Sequence, residues 1–238
     1  MTHAARVDGP RATLVAPSTV IVMVGAPGAG KGTQAQRLAE SLTLVPISTG
    51  DLFRAALREG SALGTEVRKY VEKGILVPDP VTLRVVEERL AQPDAAQGVV
   101  LDGFPRTRIQ AEALDVMLAH DQSRVSAALY IEVEAPELIR RLAGRRVCSG
   151  PGQHVFHLDS RPPRTAGICD HDGTPLVQRN DDKPETIKAR LARQLPPMYE
   201  VVDHYQSTGV LHAVRGDRPM DEITEELLRL AQRATRKA

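Results

Sequence analysis

The sequence predicts an α/β fold, a doubly wound five-stranded parallel sheet with helices on both faces. Three observations predict it. Short β-branched runs are continuous rather than alternating, as strands covered on both faces require. Stretches with helical spacing fill the gaps between those runs. A glycine-rich turn joins the first run to the first helix, at the sheet end where such folds collect ligands.

Each element follows in order. Val20-Ile21-Val22-Met23-Val24 is the first strand, and Ala35, Leu38, Ala39 and Leu42 then recur at helical spacing. Residues 44–47 are a weaker second strand. Gly74 closes a helix, and Asp79 before Pro80 reads as the cap of the next, with proline at its first position. Residues 99–101 and 127–133 are the third and fourth strands, and Pro136 opens the helix after them. Residues 147–179 break the rhythm with Gly, Pro, Asp and His, as an inserted flap would. Residues 210–214 are the fifth strand, and Pro219 opens the C-terminal helix. No internal repeat of about 20 to 50 residues is present, which removes solenoid architectures.

Bulk properties exclude several function classes. Lys and Arg number 31 against 30 Asp and Glu, so no general charge draws the chain to nucleic acid or a membrane surface. Any anion site must be a local concentration of positive groups. No apolar run approaches the roughly 20 residues of a membrane span. Residues 1–18 lack the apolar core of a signal peptide and are expected to be a disordered tail. Cys148 and Cys169 do not suggest a disulfide framework, and the expected setting is a cytoplasmic monomer.

The strongest chemical signal is Gly25-Ala26-Pro27-Gly28-Ala29-Gly30-Lys31-Gly32-Thr33 between the first strand and first helix. Glycines let successive backbone N–H groups turn inward as an anion nest, and the helix start adds partial positive charge. Lys31 then reaches the outer phosphates, which makes this a P-loop NTPase fold. The general pattern places Ser or Thr directly after the lysine, whereas Gly32 intervenes here before Thr33. No Asn-Lys-x-Asp guanine signature accompanies the loop.

This loop and five later segments, taken together, resemble the adenylate kinase family in its long-lid form. The segments are Ser48-Thr49-Gly50-Asp51-Leu52-Phe53-Arg54, Gly74-Ile75-Leu76-Val77, Leu101-Asp102-Gly103-Phe104-Pro105-Arg106-Thr107, Gly144-Arg145-Arg146-Val147 and Arg179-Asn180-Asp181-Asp182. The resemblance runs from about Val20 to the C-terminal helix. It implies reversible phosphoryl transfer from Mg-ATP to AMP, giving two ADP. It also implies a core of residues 19–47, 78–146 and 183–238, an AMP-binding helical segment at 48–77, and a lid at 147–182.

The roles it implies can be set beside the chemistry. Two polyanions held phosphate to phosphate need many cations, and arginine's planar fork suits bidentate phosphate contact. By similarity, Lys31, Arg106, Arg141, Arg145, Arg179 and Arg190 are catalytic. ATP contacts fall on Gly28, Ala29, Gly30, Lys31, Gly32, Thr33, Arg141, Arg145, Val155, Phe156 and Arg218. AMP contacts fall on Thr49, Arg54, Ile75, Leu76, Val77, Gly103, Phe104, Pro105, Arg106, Gln110, Arg179 and Arg190, with Gln110 reading the adenine. Phe156 stands where the family has an aromatic against the ATP adenine, although a flap-core role fits it equally. Helical spacing turns Arg140 and Arg146 away from the cluster. Asp102 either anchors waters around Mg²⁺ or is a buried capping carboxylate.

Long-lid relatives often carry zinc on two Cys-x-x-Cys pairs, and this flap departs from that pattern. Cys148, His154, Cys169 and Asp172 form an acceptable tetrahedral set for a structural Zn²⁺, with Asp170 and His171 competing for the place of Asp172. The alternative is a flap held by polar contacts without metal.

Overall fold

The computed structural model describes residues 17–150 and 152–236. It begins with β1 (Val20–Val24), every residue of which is buried, and continues into α1 (Lys31–Leu42). Then follow β2 (Val45–Ser48), α2 (Thr49–Glu59), α3 (Ala62–Val71), α4 (Asp79–Leu90), β3 (Val99–Asp102) and α5 (Arg108–His120). Next come β4 (Ala127–Glu132), α6 (Ala135–Gly144), and three lid strands, β5 (Arg145–Cys148), β6 (Val155–His157) and β7 (Leu176–Val177). The chain ends with α7 (Pro184–Ser207), β8 (Leu211–Arg215) and α8 (Met220–Thr235).

The main sheet has the order β2-β3-β1-β4-β8 with every pairing parallel. Central β1 pairs with β3 in the register Met23↔Asp102 and with β4 in the register Val24↔Tyr130. Burial on both faces explains why β1, β3 and β4 read as nearly unbroken apolar runs, while the edge strands β2 and β8 are partly exposed. Because β1 leads first to one side and β4 extends the other, a crevice opens at its carboxyl end. The glycine-rich turn occupies that point.

Two smaller units flank the sheet. On one side, α2, α3 and α4 enclose their own apolar cluster of Phe53, Val67, Val77 and Val85. Ser48 and Ser61 cap α2 and α3 by accepting from the backbone N–H of Asp51 and Gly64. The helices approach so closely that a Cβ on Gly64 would stand 2.2 Å from the Ala56 carbonyl oxygen. On the other side, β6-β5-β7 form an antiparallel sheet around a core of only Cys148, Phe156 and Cys169, with Leu176 against them.

Two expectations need correction. Asp79 is the first residue of α4 and Pro78 its cap; the Asp79 carboxylate instead accepts from Thr107 Oγ1 and Gln110 Nε2. Pro80 sets the helix start, so Asp79 is freed for those tertiary bonds. The expected disordered tail lies outside the described residues except for its last two. Those two are docked: Pro17 accepts from Ser123 Oγ, and Ser18 bonds the Ala96 and Gln97 carbonyls. No helix among the described residues is long and apolar enough to cross a membrane.

Candidate active site

The phosphate loop is shaped by residues that tolerate unusual backbone. Gly30, the residue before α1, has φ +98°, and a Cβ on Gly25 would stand 2.9 Å from the Ile131 carbonyl oxygen. Gly32 has a separate reason. A side chain there would begin 3.2 Å from Asp102 Oδ2, so glycine lets the half-buried carboxylate at the end of β3 approach the loop. Lys31 opens α1 and donates from Nζ to the Ala26 carbonyl at 2.9 Å. Desolvation pushes its pKa down to about 7; Arg106, Arg190 and Arg145 push the same way and Asp102 opposes them.

Arg106, Arg190 and Arg145 lie near enough to Lys31 to act on its charge, and further arginines stand beside them. Arg106 donates from Nε to the Gly103 carbonyl at 2.8 Å and from Nη1 to Gln194 Oε1 at 3.1 Å. Arg190 on α7 donates from Nη1 to Asp182 at 3.0 Å, with Asp181 Oδ2 at 2.9 Å. Arg145 grips the fully buried Asp182 with two bonds of 2.7 and 2.6 Å. Arg54 pairs with Asp51 at 2.5 Å, and Arg141 bonds Glu137 at 2.6 Å and the Gly216 carbonyl at 2.7 Å.

These pairs do not exhaust the donors. Arg54, Arg179 and Arg190 each keep a buried Nε–H with no acceptor among the described residues. Burial and neighbouring guanidinium groups push Arg106 and Arg179 down in pKa; for Arg145 burial is overridden by Asp182 and the shift is upward. Buried donors without protein acceptors are costly, and donors of this charge suit anionic ligands.

Beside the cluster a pocket opens between the α2–α4 unit and the sheet, lined by Thr49, Arg54, the 74–77 stretch, Gly103, Arg106, Gln110 and Arg190. Thr49 Oγ1 donates to the Gly103 carbonyl at 2.7 Å and locks the pocket floor. Gln110 is buried, accepts from the Arg106 N–H at 2.8 Å and donates to Asp79 at 2.8 Å. An amide has two donors and two lone pairs, so one of each is free for a base.

In the lid, Cys148 Sγ and Cys169 Sγ each lie 3.4 Å from His154 Nδ1, and Asp172 Oδ2 lies 3.4 Å from the same nitrogen. All four ligand atoms fall within 4.8 Å of one another. Thr174 donates twice to Asp172 Oδ1, which leaves Oδ2 facing the cluster. Of the competing side chains, Asp170 accepts from the Arg164 N–H, and His171 stacks on the His154 ring.

Comparison with known proteins resolves what this assembly belongs to. Residues 23–210 match the family model for adenylate kinase. The adenylate kinase of Streptomyces coelicolor is 45% identical over 213 residues, covering 90% of this chain and 98% of its own length. That of Lysinibacillus sphaericus is 46% identical over 212 residues, covering 89% and 97%. The chain belongs to the adenylate kinase family.

As an adenylate kinase family member it places most, though not all, of its expected site residues together. For Phe156 the structure favours the flap-core role: its ring is 3% exposed, enclosed by Cys148, Cys169 and Leu176 with Arg161 over its face. The Phe104 side chain is wholly buried in the main core, while its neighbours Gly103 and Arg106 line the pocket. Arg146 is turned from Arg145 by strand alternation on β5 rather than by helical spacing. Arg218 lies on the β8–α8 loop, paired with Glu226. Three residues went unassigned from sequence: Asp181 and Asp182, which sit beside the arginines, and Gln194. Its spacing of four residues from Arg190 on one helix was the available signal.

Proposed function

We infer that this chain transfers the γ-phosphoryl group of Mg-ATP to AMP, giving two ADP, and runs the reaction in both directions. The observation that carries the reading is the set of buried N–H groups without acceptors on Arg54, Arg179 and Arg190, of which Arg54 and Arg190 line the Gln110 pocket. The loop receives the triphosphate and the pocket receives AMP, with the two phosphate ends meeting among the cations.

The attacking oxygen of AMP is ionised near neutral pH, so no general base is needed. Positioning and charge stabilisation carry the catalysis. Lys31 and the loop N–H groups hold the β- and γ-phosphates. Arg54 and Arg106 hold the AMP phosphate, while Arg141, Arg145, Arg179 and Arg190 spread the charge that develops on the transferred group. Gln110 selects adenine by pairing with its polar edge. Oxygen donors at the loop, Asp102 with the Thr33 hydroxyl, suit a hard cation and would hold Mg²⁺ through water. When bound, Mg²⁺ neutralises phosphate charge and fixes the phosphate conformation. Segments 48–77 and 147–182 close over the nucleotides and keep water from taking the phosphoryl group. Every role falls on one chain, which supports a monomer.

We also propose that the lid holds a structural Zn²⁺ on Cys148, His154, Cys169 and Asp172. Tetrahedral zinc with bonds of about 2.0–2.3 Å separates its ligand atoms by about 3.3–3.8 Å. The three 3.4 Å separations support that spacing.

The test is phosphoryl transfer from Mg-ATP to AMP, UMP, CMP and GMP in one assay, with Lys31→Met as control. Strong preference for AMP, lost by about 10²–10³ in kcat in the control, is expected. Preference for another monophosphate would overturn the assignment of Gln110, and binding without transfer would overturn the enzyme reading.

A further inference from the structure

Gln194 is a polar side chain only 7% exposed, placed where two distant parts of the pocket meet. Its Oε1 accepts from Arg106 Nη1 at 3.1 Å, and its Nε2 donates to the Gly74 carbonyl at 2.7 Å. The orientation of the amide is forced by its partners, since a guanidinium only donates and a carbonyl only accepts. The partners lie 88 and 120 residues away in sequence, so neither bond follows from local helix geometry.

Each contact fixes something different. Arg106 is already tied through Nε to the Gly103 carbonyl, and the Gln194 bond adds a second anchor to its guanidinium plane. The donors not engaged in these two bonds are left for a phosphate. Gly74, at φ +63°, ends the α3 segment and begins the 75–77 stretch that forms the opposite wall. A Cβ at Gly74 would meet Arg190 side-chain carbons at 3.3 Å, so wall, helix α7 and guanidinium are in close register. Arg190 and Gln194, four residues apart, face the pocket from the same helix.

We propose that Gln194 is a positioning residue for the acceptor nucleotide: its single amide holds the phosphate-binding Arg106 and the base-side wall at Gly74 at one fixed separation from α7. The assignment rests on the reading of this pocket as the AMP site. Among the described residues the side-chain bonds of Gln194 go to Arg106 and Gly74, both on the acceptor pocket, which makes the effect selective. A buried glutamine that merely satisfied its own hydrogen bonds would affect stability and both nucleotides alike.

Gln194→Leu removes both bonds at similar volume, and Gln194→Glu keeps the acceptor toward Arg106 while setting an oxygen against the Gly74 carbonyl. Both variants and the parent protein are compared by KM for AMP, KM for ATP, kcat and melting temperature. For Gln194→Leu the KM for AMP is expected to rise about tenfold, the loss of a hydrogen bond to a charged group, with the KM for ATP within about twofold and kcat changed less than KM. Gln194→Glu is expected to fall between the parent and Gln194→Leu. If Gln194→Leu does not fold, the selective rise in Gln194→Glu decides alone. Equal movement of both KM values, or no movement of the KM for AMP, overturns the proposal. A parent protein that fails to phosphorylate AMP overturns the site reading and the proposal with it; an active parent with unaffected variants overturns the proposal only.

Discussion

The acceptor-side pocket and the lid are both appended to the same sheet, yet they are held together in opposite ways. The α2–α4 unit has its own apolar cluster and is further bonded to the core through Thr49 to Gly103 and Gln194 to Gly74. The lid has a core cluster of Cys148, Phe156 and Cys169, and its two cysteines also belong to a knot of four groups able to hold a metal. A segment that small buries too little surface to offset its ordering entropy. The difference teaches that an appendage with its own apolar cluster can be made of ordinary packing, whereas a smaller one gathers polar groups able to hold a crosslink of another kind.

The comparison can be broken first at the phosphate end of the pocket. Arg106→Ala is expected to lower kcat/KM for AMP by about 10²–10³ in steady-state assays, because a buried guanidinium that holds the AMP phosphate is lost. A drop below tenfold would mean that the other arginines suffice and that the anchoring by Gly103 and Gln194 is incidental.

It is sharpened next in the lid. Metal analysis should find about one zinc per chain, and replacing both Cys148 and Cys169 by Ser should abolish it. Melting temperature is then expected to fall by about 5–10 °C, consistent with a loss of roughly 2–3 kcal/mol in a chain of this size. The KM for AMP should stay within about twofold, since the acceptor pocket does not depend on the lid core. A metal-free protein with full stability would show that polar contacts alone hold the flap.

The smallest effect concerns Lys31, which serves both sides. Its pKa of about 7 lies below the ordinary lysine value, and bound phosphate requires the charged form. From pH 7 to pH 8 the protonated fraction falls from about one half to one tenth, so ATP affinity should weaken about fivefold. Calorimetry in buffers of different ionisation enthalpy should register proton uptake on binding. In the empty protein the sign is opposite for stability: between about pH 7 and 10.5 the unfolded chain holds a proton that the folded one does not, so stability rises with pH.

Much of this was legible in sequence where the signal is local. The strand runs, the glycine-rich loop and the segment around Arg106 are contiguous, and the residue types fix their geometry. What stayed hidden depends on tertiary contact. Phe156 reads as a platform in one dimension, but the flap has so few apolar side chains that it must spend this one on its own core. Asp79 reads as a cap because Pro80 follows it, and only the approach of α5 reveals its bond to Gln110. Gln194 joins groups separated by 88 and 120 residues, a distance no periodicity encodes.

The arginine N–H groups left without acceptors bear on the life of the protein between turnovers. Bound phosphates would give these donors acceptors and offset the charge effects that the neighbouring guanidinium groups exert on one another. An enzyme arranged this way is completed by the metabolites it handles. At a free nucleotide level of about 100 Kd the bound form gains roughly 2.7 kcal/mol, so resistance to unfolding and proteolysis would rise and fall with the nucleotide supply itself.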